Sequence, residues 1–199
     1  MTDPDPDPEW DRGWLRAARR CPSPNRGPRP PGMAVDLALI HSISLPPGVY
    51  GGDAIERLFT NRLAWDAHPY FASIRGLEVS AHFLLRREAG ELLQFVSCDE
   101  RAWHAGASYW QGREQCNDFS IGIELEGLEG EAFEPAQYAA LAALLRRLAR
   151  RYPISFVAGH EHVSPGRKHD PGPGFDWRAL IGDLGWPPQC FPEAATRRG

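Results

Sequence analysis

Two short apolar runs in this sequence end in histidine, VDLALIH at 35–41 and ISFVAGH at 154–160. The first continues to Ile43 and is bounded by clusters of proline and glycine. A segment of that length and polarity reads as a strand buried on both faces, which needs helices above and below its sheet. A third strand is expected in FSIGIELEG, at 119–127. Before ISFVAGH lies EPAQYAALAALLRRLARRYP. Pro135 suits the first turn of a helix there, and Tyr138, Leu141, Leu145, Leu148 and Tyr152 recur at three and four to form one apolar stripe. Arg146, Arg147, Arg150 and Arg151 gather near its C-terminal end, where the helix dipole favours positive charge on a solvated face. Strand and helix alternate, so the sequence predicts an α/β (α+β) fold: one sheet with helices packed on its faces.

Shorter signals surround this frame. A helix is expected over 53–60, a hairpin with strands near 79–86 and 91–97 that turns at REAG, and a last helix over 176–184. Residues 1–9 alternate Asp with Pro and are expected to be a disordered acidic tail. CPSPNRGPRPPG, at 21–32, reads as a connector with neither helix nor central strand. The expected organisation is one domain over 10–186 with a tail over 187–199.

With 199 residues, 42% of them hydrophobic, the chain can bury one substantial core. A net charge of -4 and no basic stripe beyond one helix side argue against nucleic acid as a partner. No run approaches the ~18 apolar residues of a membrane span. The opening MTDPDPDPEWDRGW is the reverse of a basic, then apolar, export signal, so a cytoplasmic location is expected. The four cysteines form no CxxC pair and are expected to be free thiols.

The stretch GHEHVSPGRKHDPG, at 159–172, holds three of the seven histidines with an aspartate, a lysine and an arginine. A core has no use for such a segment, whereas a loop at a cleft does. If the two histidine-ended strands lie side by side, His41 and His160 meet at one sheet edge. Two neutral imidazoles and a carboxylate make a three-ligand catalytic zinc site. Asp170 is the carboxylate candidate. Pro171 favours an extended backbone before it, and Lys168, two residues back, then faces the same way. On β-strand parity Ile121, Ile123 and Leu125 enter a core, and Glu124 projects oppositely, as a general base could. Other readings stay open from these patterns alone: His41 as a satisfied core residue, Asp170 as a turn or cap, Lys168 as a solvated lysine, Glu124 on a wet sheet face.

The blocks HSISLPPGVYGG, VSAHFLLRR, RAWHAG, QGREQCNDFSIGIELEG and GHEHVSPGRKHDPGPGFDW decide between them. Over nearly its whole length the chain resembles the zinc-dependent bacterial N-acetylmuramoyl-L-alanine amidases, and within them the cytoplasmic type acting on anhydro-muramyl peptides. The resemblance implies a mixed β-sheet flanked by helices, with one Zn²⁺ at the sheet edge on His41, His160 and Asp170. It implies Glu124 as base for the attacking water and Lys168 as stabiliser of the oxyanion. A small muropeptide is the implied substrate, in peptidoglycan recycling, and a monomer is expected. The alternative is a muropeptide-recognition module of the same fold that binds without cutting. Such modules typically lose a ligand, and this chain keeps all three. Ser42, Glu78 and Gln115 depart from the Asn or basic residues expected at those positions, which bears on stem-peptide preference.

Trp103, His104 and Trp110 are candidate substrate contacts, since flat aromatic faces suit a sugar ring. His162, two residues after His160, is a rival ligand but reads better as a polar neighbour. His169 has the wrong parity for the site, His82 sits within a hairpin strand as a structural histidine, and His68 lies in a loop.

Overall fold

The computed structural model describes residues 7–88 and 91–193. Its frame is a six-stranded sheet made of β1 (Arg19–Arg20), β2 (Leu37–Ile43), β3 (Phe83–Leu85), β4 (Leu92–Gln94), β5 (Ser120–Glu126) and β6 (Phe156–Gly159). Across the sheet the order is β6-β2-β5-β3-β4-β1, with β3 and β4 antiparallel and every other pairing parallel. The helices are α1 (Ala54–Phe59), α2 (Pro69–Ser73), α3 (Pro135–Arg151), α4 (His160–Val163) and α5 (Trp177–Leu184).

The central strands are covered on both sides, as their unbroken apolar runs require. On one face Ala38, Ile40, Ile121, Ile123, Leu125 and Val157 pack against Leu141, Leu144, Leu145 and Leu148 of α3 and Leu180 of α5. Each such aliphatic side chain, buried, contributes roughly 1.5–3 kcal/mol. The other face carries two smaller clusters. Ile55, Leu58, Phe59 and Phe71 cover Leu84, Leu93 and Phe95. Leu37, Leu39 and Ala158 pack with Phe119 and Val163. Helix α3 starts where Pro135 predicts, and the Glu134 N–H donates to Gln137 Oε1 at 3.1 Å. Gln137 Nε2 donates in turn to the Glu126 carbonyl at 3.0 Å, which ties the helix start to the end of β5.

Several details depart from the sequence reading. The hairpin strands are shorter than 79–86 and 91–97, because Ser80 and His82 donate instead to the carbonyls of Trp103 and Gly122. Two residues of its REAG turn, 89 and 90, lie outside the described residues, as do 1–6 of the acidic tail and 194–199 at the other end. Residues 7–9 do contact the fold. Glu9 pairs with Arg150 at 2.6 Å and Arg147 at 3.5 Å, so two arginines of the α3 face have an anionic partner. Trp10 beside it is fully buried. Phe191, expected in a tail, is buried in the core under α5's face of the sheet. All four cysteines are unbridged.

Candidate metal centre and active site

Strand register builds the site. Parallel pairing of β2 with β5 sets Glu124 opposite His41, and pairing of β6 with β2 sets Gly159 opposite Ile40. The next residue, His160, opens α4 and stands beside His41, with ring centroids 4.5 Å apart. The loop after α4 returns Asp170 to the pair. Its Oδ2 lies 2.9 Å from His41 Nδ1 and 3.2 Å from His160 Nδ1. Gly159 makes this return possible: a Cβ there would stand 2.7 Å from Pro171 Cδ. All three side chains are buried, and their ligand atoms lie within 4.8 Å of one another.

The donor set fits a metal cation. His160 Nε2 is 3.0 Å from the Ala105 carbonyl oxygen, which can only accept, so Nε2 carries a proton and a His160 that ligates a metal does so through Nδ1. That leaves the Nδ1 lone pair facing the Asp170 carboxylate, an arrangement a cation between them relieves. Burial pushes the His41 imidazole down to about 4, against the opposing pull of Asp170, so its lone pair is also available near neutrality. Two neutral imidazoles with one carboxylate match the nitrogen and oxygen donors that zinc takes in catalytic sites.

Glu124 faces the same side as His41. It is buried, and its Oε2 has no hydrogen-bond partner. Desolvation, and then the Asp170 charge, push its carboxyl well above the ordinary value, with Lys168 pulling the other way. Lys168 is exposed and lines the same cleft, of about 600 Å³, as Glu124 and the three candidate ligands. The far wall of that cleft is apolar, formed by Leu58, Phe59, Tyr70, Ile74, Leu77 and Val79.

The other sequence candidates separate. His104 lines the cleft, but its Nδ1 lies 3.0 Å from His41 Nε2 and its Nε2 3.4 Å from Ser120 Oγ. Both ring nitrogens thus have protein partners. Trp103 is half-buried, its backbone N–H donating to Ser80 Oγ, and it is not among the residues lining the cleft. Trp110 packs edge-on against Phe156 at 6.0 Å, beside Leu37 and Leu39, and does not line it either. His162 is no rival ligand: its Nδ1 accepts from the Gly159 N–H at 3.0 Å and its ring meets Trp177. His82 accepts from the Gly122 N–H at 3.0 Å and faces the Glu100 carbonyl at 3.1 Å, as a structural histidine does. Ser42 lines the cleft, Glu78 is exposed next to lining Val79, and Gln115 lies away from it. Sequence reasoning missed Arg29, whose guanidinium donates to the carbonyls of Cys98, Asn117, Asp118 and Ser120 and locks the segment behind the site. Its place in a proline-rich connector gave no signal for that.

Residues 31–173, which contain all of these candidates, match the family model described as N-acetylmuramoyl-L-alanine amidase. The chain belongs to the N-acetylmuramoyl-L-alanine amidase family. Curated relatives that carry the name 1,6-anhydro-N-acetylmuramyl-L-alanine amidase AmpD include those of Salmonella typhimurium and Escherichia coli. The one from Salmonella typhimurium (strain LT2) is 54% identical over 176 residues, covering 86% of this chain and 94% of its own. The one from Escherichia coli (strain K12) is 53% identical over 169 residues, covering 84% and 92%. A crystal structure of a selenomethionine AmpD derivative aligns with a TM-score of 0.84 at 52% identity, over 87% of this chain and 98% of that one. The amidase AmiD from E. coli, solved with anhydro-N-acetylmuramic acid-L-Ala-D-gamma-Glu-L-Lys, aligns with a TM-score of 0.56 at 28% identity, over 78% and 60%. The mixed sheet with its helices is therefore the fold of this amidase family. Among the described residues no helix of the amidase is long and apolar enough to cross a membrane.

Proposed function

We propose that this amidase hydrolyses the bond between the lactyl group of anhydro-N-acetylmuramic acid and the L-alanine of a stem peptide, with one Zn²⁺ on His41, His160 and Asp170, in cytoplasmic peptidoglycan recycling. The observation that carries the reading is the convergence of two imidazoles and a carboxylate beside Glu124, a buried carboxylate with an unpartnered oxygen. Zn²⁺ held there would lower the pKa of a water to about 7 and polarise the scissile carbonyl.

The chain's own groups supply the rest. Glu124, its carboxyl raised by burial, takes the proton of the attacking water and returns it to the leaving alanine nitrogen. Lys168, at the cleft, places positive charge on the oxyanion as it develops. The apolar wall from Leu58 to Val79 desolvates the bound substrate, which strengthens both interactions. The names of the AmpD and AmiD relatives support the substrate class. The unpartnered Glu124 favours an enzyme over a recognition module, since binding alone gives no reason to keep an orphaned buried carboxylate.

The test is metal content and release of free stem peptide from anhydro-muramyl-tripeptide, on one sample before and after chelation and with Zn²⁺ restored. About one zinc per chain and chelator-sensitive cleavage are expected, and Asp170→Ala lowers zinc affinity sharply. Zinc without cleavage would transfer the reading to the recognition module. The absence of both zinc and cleavage would overturn it.

A further inference from the structure

Both candidate histidine ligands are backed by one dipeptide. His41 Nε2 meets His104 Nδ1 at 3.0 Å, and His160 Nε2 meets the Ala105 carbonyl oxygen at 3.0 Å. One atom holds both of its backbone N–H groups: Asn117 Oδ1 accepts from the His104 N–H at 3.1 Å and the Ala105 N–H at 2.8 Å, while Arg167 Nη2 also donates to the Ala105 carbonyl at 2.7 Å. The His104 ring lies against the backbone of β5, where a Cβ on Gly122 would stand 2.6 Å from its Cγ. We infer that His104–Ala105, pinned by Asn117, is a positioning device that fixes both histidines as Nδ1 donors to the metal. The inference rests on the zinc reading above and adds residues to it.

Proton placement follows from the two ends of the network. On the His160 side the acceptor is a carbonyl, so Nε2 carries the proton and Nδ1 is bare. On the His41 side the chain is longer. Ser120 Oγ donates to the Cys116 carbonyl at 2.5 Å, which uses its only proton. Towards His104 Nε2, at 3.4 Å, Ser120 can then only accept. The His104 proton therefore sits on Nε2, and its Nδ1 lone pair accepts from His41 Nε2–H. His41 Nδ1 is left bare on the side of Asp170 and His160. Two carbonyls, Cys116 and Ala105, thus dictate the tautomers of both ligands. Outer groups of this kind orient imidazole ligands and raise their basicity.

The experiment has two arms on the full chain. Long-range proton–nitrogen correlation spectra of the zinc-loaded protein report the tautomer of each imidazole. Protons on Nε2 of His41, His104 and His160 are expected, and a His104 proton on Nδ1 overturns the inference. This arm needs no variant. In the second arm zinc affinity is measured by chelator competition, with thermal unfolding of each metal-free protein alongside. His104→Ala is expected to weaken zinc binding by about 10–100-fold. His104→Asn, whose Oδ1 can occupy the Nδ1 position, recovers most of that loss. A His104→Ala protein that folds and binds zinc as tightly as the parent overturns the positioning role. A parent protein that binds no zinc counts instead against the metal reading itself, so the two failures are distinguishable.

Discussion

Glu124 and Glu126 lie two residues apart on β5, face the same side of the sheet and are both buried. Their surroundings differ completely. Glu126 Oε1 accepts from the Gly51 N–H at 2.8 Å and from Arg86 Nη1 at 2.9 Å, while Oε2 accepts from the Arg87 N–H at 3.0 Å. Arg86 continues to Glu56 at 2.8 Å and to the Gly52 carbonyl at 2.7 Å, so the loop after β2 is tied to the sheet. Glu124 has an unpartnered oxygen and a neighbouring negative charge. One strand therefore holds a carboxylate used up in structure and another held in reserve for a proton. Residue type and orientation are shared, and the polar groups brought by other segments make the difference.

The comparison can be broken by substitution. Glu124→Ala is expected to reduce turnover by about 10²–10⁴-fold with zinc retained, the range general acid–base groups contribute. An active Glu124→Ala protein, assayed on anhydro-muramyl-tripeptide, would remove the base role. Glu126→Ala leaves Arg86 with Glu56 alone as its close carboxylate and takes the acceptor from the Gly51 and Arg87 N–H groups, and is expected to cost about 1–3 kcal/mol of stability in denaturant unfolding, without changing kcat per folded molecule. Lys168→Ala should lower kcat by about 10²–10³-fold while leaving zinc content and unfolding unchanged.

Acid supplies a smaller perturbation. Burial, and then the Arg29 charge, depress His82 to about 3 from 6.5. The unfolded chain binds this proton first as pH falls, so stability declines from about pH 6.5 downward, by about 2 kcal/mol at pH 5 from this residue. Unfolding midpoints of metal-free protein across that range check it, and a flat profile would contradict the buried neutral ring. The sharpest test is the smallest. With its carboxyl raised, metal-free Glu124 keeps its proton in the native state above the ordinary value where the unfolded chain releases it. Native stability therefore falls as pH rises through that window. Glu124→Gln should raise the metal-free unfolding midpoint at pH 7, whereas Glu126→Gln should lower it. Shifts of the same sign would abolish the distinction between the two carboxylates.

Much of this arrangement was legible in residue patterns. The parity of Ile121, Ile123 and Leu125 gave the direction of Glu124, because a strand buried through one set of positions must present the other set oppositely. The two histidine-ended runs gave neighbouring strands, and the parallel register placed His41 beside His160. Partners supplied from distant loops were not legible. His104 reads as a candidate substrate contact in RAWHAG, and only the fold shows that both its ring nitrogens have protein partners. Asn117 and Ala105 act through an amide oxygen and a backbone carbonyl, which no side-chain pattern announces. Glu9 and Phe191 looked like tail residues because their neighbours in sequence are polar or proline-rich, although their side chains are held by α3 and the core.

His41 and Asp170 meet across 129 residues of chain, and the register that brings them together spans β6, β2 and β5. No local fragment contains the centre. β2 must pair with both β5 and β6, the strands before and after the long helix, before the histidines face the aspartate, and such distant pairing is the slow part of folding. The metal-free chain therefore has to reach its native topology unaided, and metal then stabilises that state by mass action. On the proposed zinc reading, metal occupancy would report completed folding, because only a chain whose sheet has closed brings the three candidate ligands together.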